Sequence, residues 1–118
     1  MLFNNLKLRV YIYQGEIDMR SGFERLSYLI REELKADILE GHMYLFLGKN
    51  RKRAKVLLFD RTGLVLLSKR MEGGKLISFR ELENVNEITV NDLALILAGA
   101  KIIIPVSARN GIKTSRGF

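Results

Sequence analysis

Residues 42–79, HMYLFLGKNRKRAKVLLFDRTGLVLLSKRMEGGKLISF, decide how this chain is read. His42 to Leu47, Ala54 to Phe59 and Leu64 to Arg70 are apolar runs of strand length, rich in aliphatic and aromatic side chains. Between the first two lies a basic turn, Gly48-Lys49-Asn50-Arg51-Lys52-Arg53. Between the next two lies Asp60-Arg61-Thr62-Gly63, with Asp first and Gly last as a type I turn prefers. Glu72-Gly73-Gly74 makes another turn, and Lys75 to Phe79 reads as a short fourth strand. Connections this short join antiparallel neighbours, because a parallel pair needs a crossover of about a dozen residues or more. The middle strands are apolar on successive residues, so both faces of their sheet are expected to be partly covered.

Upstream, Lys7 to Tyr13 alternates and reads as a further strand, broken by Gln14-Gly15-Glu16. Ser21-Gly22-Phe23-Glu24 has the spacing of a capping box, in which Ser21 accepts from the amide of Glu24. Phe23, Leu26, Ile30 and Leu34 then recur at helical spacing, with Arg25, Glu32 and Lys35 outside. This predicts an amphipathic helix from Ser21 to about Ala36. Its apolar stripe is expected to pack against Val56, Leu58, Leu64 or Leu66. Downstream, Thr89-Val90-Asn91-Asp92 is suited to cap a second, short helix over Val90 to Ala98, with Leu93, Ile96 and Leu97 as its stripe and Gly99 as its stop. Ile102-Ile103-Ile104 reads as a last strand or core-packing segment before Pro105. The fold class expected is α+β: a mostly antiparallel β-meander of four to six strands, with one long helix packed on it and a short C-terminal helix. Residues 1–105 form the single domain, and 106–118 read as a basic, mobile tail.

Composition narrows the function classes. The chain has 118 residues, enough for one core and not two, and 47% of them are hydrophobic, which argues against general disorder. It has no cysteine, so disulfides, thiolate metal sites and cysteine nucleophiles are excluded together. The N-terminal residues lack a signal-peptide pattern, and no run approaches the roughly 20 apolar residues of a membrane span. A cytoplasmic protein with no membrane partner is expected.

Charge is more informative. The net charge is +7, and it is unevenly distributed. Residues 1–48 carry six basic and seven acidic groups; residues 49–80 carry ten basic groups against Asp60 and Glu72; residues 81–100 carry four acidic groups and no basic one; residues 101–118 carry four basic groups and no acidic one. Concentrated positive charge attracts polyanions, although solubility alone accounts equally well for a basic protein.

Ile17-Asp18-Met19-Arg20-Ser21-Gly22-Phe23-Glu24-Arg25-Leu26 resembles the TDMRKGFDGL signature of the accessory protein encoded by the second open reading frame (TnpB-type) of bacterial insertion-sequence 66 elements. Gly41, Phe46, Arg51 and Lys55 match in the same order, and Asp60 and Gly63 match a D-x-x-G turn. Lys69-Arg70-Met71-Glu72-Gly73-Gly74-Lys75 is similar to a KRLE-x-G-x run, and Leu93 to Gly99 to a closing LALLLEG helix. The likeness covers about residues 8 to 101. The chain departs from it at Leu58-Phe59-Asp60, where the family often has Trp-Trp-Asp, at Ser78-Phe79-Arg80, where a proline is usual, and in its extended basic tail. The resemblance implies a helper required for transposition beside a separate, larger transposase. The family-motif residues it marks here are Asp18, Met19, Arg20, Gly22, Phe23, Asp60, Gly63, Lys69, Arg70 and Glu72.

Catalysis is not expected. Two-metal strand transfer needs about three clustered carboxylates. Asp60 and Glu72 flank one strand of seven residues, about 23 Å if extended, and so lie at its opposite ends. Asp60 reads as a turn residue, and Asp92 as a first-turn helix residue favoured by the dipole. His42, the single histidine, has no cysteine or second histidine with which to build a zinc site. Lys69 with Asp60 or Glu72 does not match the spacing of acid–lysine nuclease sites. Gly73-Gly74 lacks the strand–loop–helix context of a phosphate loop. No enzyme activity, metal, cofactor or small-molecule substrate is expected. Arg20 either pairs with Asp18 or Asp60, or holds a phosphate or a partner's carboxylate near the helix N-terminus.

Two functional readings follow. In the first, Lys49, Arg51, Lys52, Arg53, Lys55, Arg61, Lys69, Arg70 and Lys75 line a surface that meets DNA phosphates, positioning the protein without reading sequence. In the second, the chain is an interaction module that docks onto the transposase or another helper through its sheet edge or its second helix.

Overall fold

The computed structural model describes residues 8–100. Five strands form one sheet: β1 (Val10–Ile17), β2 (Met43–Gly48), β3 (Arg53–Phe59), β4 (Leu64–Arg70) and β5 (Glu87–Ile88). Their spatial order is β4-β3-β2-β1-β5. β2, β3 and β4 make the antiparallel meander that the sequence predicts, with Tyr44 opposite Leu57 and Leu57 opposite Leu66. The class is α+β, but the sheet is mixed, because β1 runs parallel to β2 with Val10 opposite Met43. Some 25 residues separate the two strands. They carry helix α1 (Phe23–Glu32), which supplies the crossover that a parallel pair requires.

β1 continues through Gln14-Gly15-Glu16, read from sequence as a break, by shifting register between Ile12 and Glu16. A Cβ at Gly15 would lie 2.9 Å from the Tyr13 ring, so a larger residue at this irregularity requires that ring to shift.

Helix α1 spans ten residues, shorter than Ser21–Ala36. Gly22 is its N-cap and no side chain caps it, so the Ser21–Glu24 capping box does not form. Its C-terminal end is closed by Lys35 at a left-handed φ of 53° and by the Ala36 amide donating to the Ile30 carbonyl.

Leu26, Leu29 and Ile30 of α1 are buried against Tyr44, Phe46 and Leu57, with Leu34 and Leu66 partly buried beside them. Phe23 is not part of that core: it is 45% exposed in the first turn. The expected partners Val56 and Leu58 face the other way. They belong to a second core with Val10, Ile12, Leu45 and Leu47, covered by Leu76, Ile77, Leu82, Val85 and helix α2 (Val90–Leu97). Both faces of the central strands are therefore dry, as their unbroken apolar runs require.

The cover on that second face also corrects the fourth strand. Among the described residues, Lys75 to Ser78 pairs with no strand. The Leu76 amide donates to the Arg51 carbonyl, and Ser78 and Glu81 form a capping box that starts a 3-10 turn over Phe79–Leu82. The strand that sequence reading missed is β5, two residues long, which closes the β1 edge with Ile88 opposite Val10. The Asp60–Gly63 turn departs from type I because Arg61 adopts a φ of 82°.

Helix α2 follows expectation. Thr89 Oγ1 accepts from the Asp92 amide at 3.0 Å, the Asp92 carboxylate accepts from the Thr89 amide at 3.3 Å, and Gly99 follows at a φ of 86°. Thr89→Ala should cost about 1 kcal/mol of stability, read as a lower urea midpoint with an unchanged slope. Ile102 to Ile104 and the tail 106–118 lie outside the described residues.

Candidate nucleic-acid interface

β1 and β2 end, β3 begins and β4 ends at the same end of the sheet. Ile17 lies opposite Gly48, and Arg53 opposite Arg70. Helix α1 starts there too, so its first amides, uncapped by any side chain, point toward that end. Eight of the nine cations singled out in the sequence fall in this region: Lys49, Arg51, Lys52, Arg53 and Lys55 on the β2–β3 hairpin and β3, Lys69 and Arg70 on β4, and Lys75 in the loop that follows. Arg61 does not. It sits in the β3–β4 turn, at the far end.

Three of the eight donate to main-chain carbonyls of their own chain. Arg51, at a φ of 63°, donates through Nε to the Leu76 carbonyl at 3.0 Å and reaches Glu81 at 4.0 Å. Lys52 donates to the Gly74 carbonyl, while its own carbonyl accepts from Met71 at 2.7 Å. Lys55 donates to the Ser21 carbonyl at 2.7 Å, tying β3 to the loop before α1. These groups are half-buried and hold the hairpin, the post-β4 loop and the α1 entrance together. Lys49, Arg53, Lys69, Arg70 and Lys75 are exposed. Arg70 pairs with Glu72 at 2.9 Å, an exposed contact of little energetic weight. Arg53 directly opposite Arg70 is a like-charge cross-strand pair, an arrangement that costs stability unless an anion relieves it.

The Asp18–Arg20 motif borders this end. Asp18 takes the Arg20 guanidinium on both oxygens, at 2.6 to 3.1 Å, and accepts the Arg20 amide at 2.9 Å. Met19 packs over Gly48 so closely that a Cβ there would lie 3.0 Å from its Cγ. Of the alternatives open for Arg20, pairing with Asp18 is the one present; Asp60 is at the other end of β3.

The bonds from Arg20, side chain first and backbone second, pull the Asp18 carboxyl down to about 2. A group whose folded pKa is depressed stabilises the fold above its ordinary value and loses that contribution as pH falls through the folded one. Carboxyl-carbon NMR titration should place the Asp18 midpoint near 2, and Arg20→Ala should return it toward the ordinary range.

Asp60 is occupied by its turn: one oxygen accepts from the Thr62 amide and hydroxyl and the Gly63 amide at 2.9 to 3.0 Å, and these bonds, Thr62 foremost, hold its pKa down. Glu72 lies beyond the opposite end of β4. Among the described residues no three His, Asp or Glu side chains are grouped to hold a metal. His42 accepts the Arg9 amide at 3.3 Å and meets the Tyr11 ring edge-on. No helix among the described residues is long and apolar enough to cross a membrane.

The same residues carry a family assignment. The family described as IS66 Orf2 like protein matches residues 8–106, which include the Asp18–Phe23 motif, the Asp60 turn and the Lys69–Lys75 run. The chain belongs to that family. Uncharacterized protein y4hO of Sinorhizobium fredii (strain NBRC 101917 / NGR234) is 35% identical over 77 residues, covering 65% of this chain and 67% of that protein. Uncharacterized protein y4jC of the same strain is 27% identical over 92 residues, covering 78% and 79%. No solved structure matches. Membership gives an IS66 Orf2 like protein a transposition-associated, accessory role and places it in no known enzyme class.

In this chain the motif loop also serves the architecture. Lys55 and Gly48 are the points where the Asp18–Gly22 loop docks, and sequence reading had no signal for either contact.

Proposed function

We propose that this IS66 Orf2 like protein assists transposition by binding DNA through the basic end of its sheet, without catalysing a reaction. The observation that carries the reading is the gathering of five exposed cations, Lys49, Arg53, Lys69, Arg70 and Lys75, at one end of the sheet, the end at which α1 begins with no side chain capping it. Free helix amides and cations together suit phosphate oxygens. Base edges are not needed for such contacts, so affinity depends on charge and salt more than on sequence.

The test is fluorescence anisotropy of a labelled duplex across a salt series. The expected result is a linear fall of log affinity with log salt, each phosphate contact contributing about −0.9 to the slope. No binding at low salt would sink the proposal. A second reading, docking onto the element's transposase, draws on Val90 and Leu95 of α2, which are 37% and 42% exposed. It calls for capture of the transposase that survives both nuclease and high salt, and that fails with Leu95→Asp.

A further inference from the structure

We infer that β4 is a dimerisation edge, and that two copies of this chain pair their β4 strands antiparallel about a two-fold axis at Leu67. Among the described residues β4 has one neighbour, β3, so the peptide groups along its other side lack a strand partner over seven residues. The opposite edge of the sheet is covered by β5. Edge strands are usually kept from pairing by charge, proline or a bulge. β4 has no proline, and its register against β3 is unbroken from Leu64 to Arg70. From Leu64 to Ser68 it has no charged residue either, and Leu64 and Leu67 are 37% and 43% exposed.

The sequence of β4 suits pairing with a second copy of itself in one register. A two-fold axis perpendicular to the sheet keeps each face on its own side, so paired residues must have the same parity. Centring it on Leu67 is the one choice that pairs all seven residues: Leu67 with itself, Leu66 with Ser68, Val65 with Lys69, and Leu64 with Arg70. Every cation then lies opposite an aliphatic side chain, along which the lysine or arginine stem is able to lie. The two Lys69 groups are four residues apart along the strands, about 13 Å, and the two Arg70 groups about 20 Å. Both separations exceed the Debye length of about 8 Å at physiological salt. Sliding the register until Lys69 meets its own counterpart would bring like charges face to face and leave most of the strand unpaired. The result is a continuous ten-stranded sheet in which the two exposed leucines from each copy are covered. This inference does not depend on the DNA reading. Its salt response also has the opposite sign, since screening a net charge of +7 on each copy favours association.

The chain has no cysteine, so a single introduced one reports on the register. Opposed residues in an antiparallel pair have Cα atoms about 4.5 or 5.5 Å apart in either hydrogen-bonding phase, both within disulfide reach. Leu67→Cys should therefore cross-link to its own copy under mild oxidation. Leu64→Cys, about 20 Å from its mate, and Leu39→Cys, on a remote exposed turn, should not. Val65→Cys mixed with Lys69→Cys should give the mixed disulfide, although neither variant cross-links alone. The unmodified protein should show twice the monomer mass by light scattering at high salt, and Leu67→Asp half of that with an unchanged circular dichroism spectrum. A monomeric unmodified protein, or a Leu67→Cys variant that cross-links no faster than Leu39→Cys, would overturn the inference.

Discussion

Leu57→Ala and Leu58→Ala should each lower the free energy of unfolding by about 2–5 kcal/mol, although the two residues are adjacent and their side chains leave the strand in opposite directions. Both are fully buried. Leu57 packs under α1 with Tyr44, Phe46 and Ile30; Leu58 packs on the other face with Val10, Leu45, Leu76 and the residues around α2. The cost has the same origin on both sides, namely the transfer free energy of the deleted atoms plus a cavity that the surrounding chain refills incompletely. The two cores share no side chains but the two residues share a backbone, so the double variant should cost more than either single one, and its departure from their sum measures the coupling between the faces. That sum is a large share of the roughly 5–15 kcal/mol available to a domain, so the double variant should show no cooperative unfolding transition. Leu67→Ala, on the exposed edge, is the matching control and should shift monomer stability by about half a kilocalorie per mole or less. Urea unfolding measures all four. A cost below about 1 kcal/mol at either Leu57 or Leu58 would mean that its face is not a packed core.

The two-sided core was legible in the sequence and the assignment of its sides was not. Unbroken apolar runs in β2 and β3 require cover on both faces, but alternation alone does not say which parity faces the helix. The structure gives α1 the parity of Tyr44, Phe46, Leu57 and Leu66, so Val56 and Leu58 fall to the other side. Phe23 shares the spacing of the helical stripe without sharing its burial. It is the first residue of the helix, where the following turns alone make contact with the sheet, and it stays 45% exposed. The parallel pairing of β1 with β2 was hidden for a different reason. The turns that announce antiparallel neighbours are local signals, whereas a crossover pairing is made between strands that no turn connects. β5 was illegible because two residues have no periodicity, and its place is set by Val10 and by the Asn86 carbonyl accepting from Ile12.

The basic segment was visible as composition, and the structure divides it into groups with different roles. Arg51, Lys52 and Lys55 look identical to Lys49 and Arg53 in sequence, yet each of the first three donates to a main-chain carbonyl distant along the chain, at Leu76, Gly74 and Ser21. No sequence pattern encodes those bonds, because each depends on where a remote loop returns. Arg61 resembles the others in charge and is separated from them by the length of β4.

That division yields a prediction of large effect for DNA binding. Replacing the exposed group, Lys49, Arg53, Lys69, Arg70 and Lys75, by Ser should flatten the slope of log affinity against log salt by up to ~4.5 units, about 0.9 for each phosphate no longer neutralised. Across a fourfold change in salt, that slope amounts to a several-hundredfold difference in relative affinity. The fold should survive, since exposed substitutions of this kind shift stability by about half a kilocalorie per mole either way, and removing the Arg53–Arg70 opposition works in the favourable direction. Replacing Arg51, Lys52 and Lys55 by Ala should do the reverse. Each change removes a charged donor from a carbonyl and should cost about 1 kcal/mol, a figure kept low because the side chains are only half-buried. The salt slope should move little, because cations held against main-chain carbonyls neutralise few phosphates and so displace few of the counterions condensed on the DNA. Arg61→Ser, at the far end, should leave both quantities unchanged. The measurements are duplex anisotropy over a salt series and urea unfolding on the same preparations. Equal slopes for the five-residue variant and the unmodified protein, with both folded, would remove this end of the sheet as a DNA-binding surface and leave docking onto the transposase as the reading to pursue.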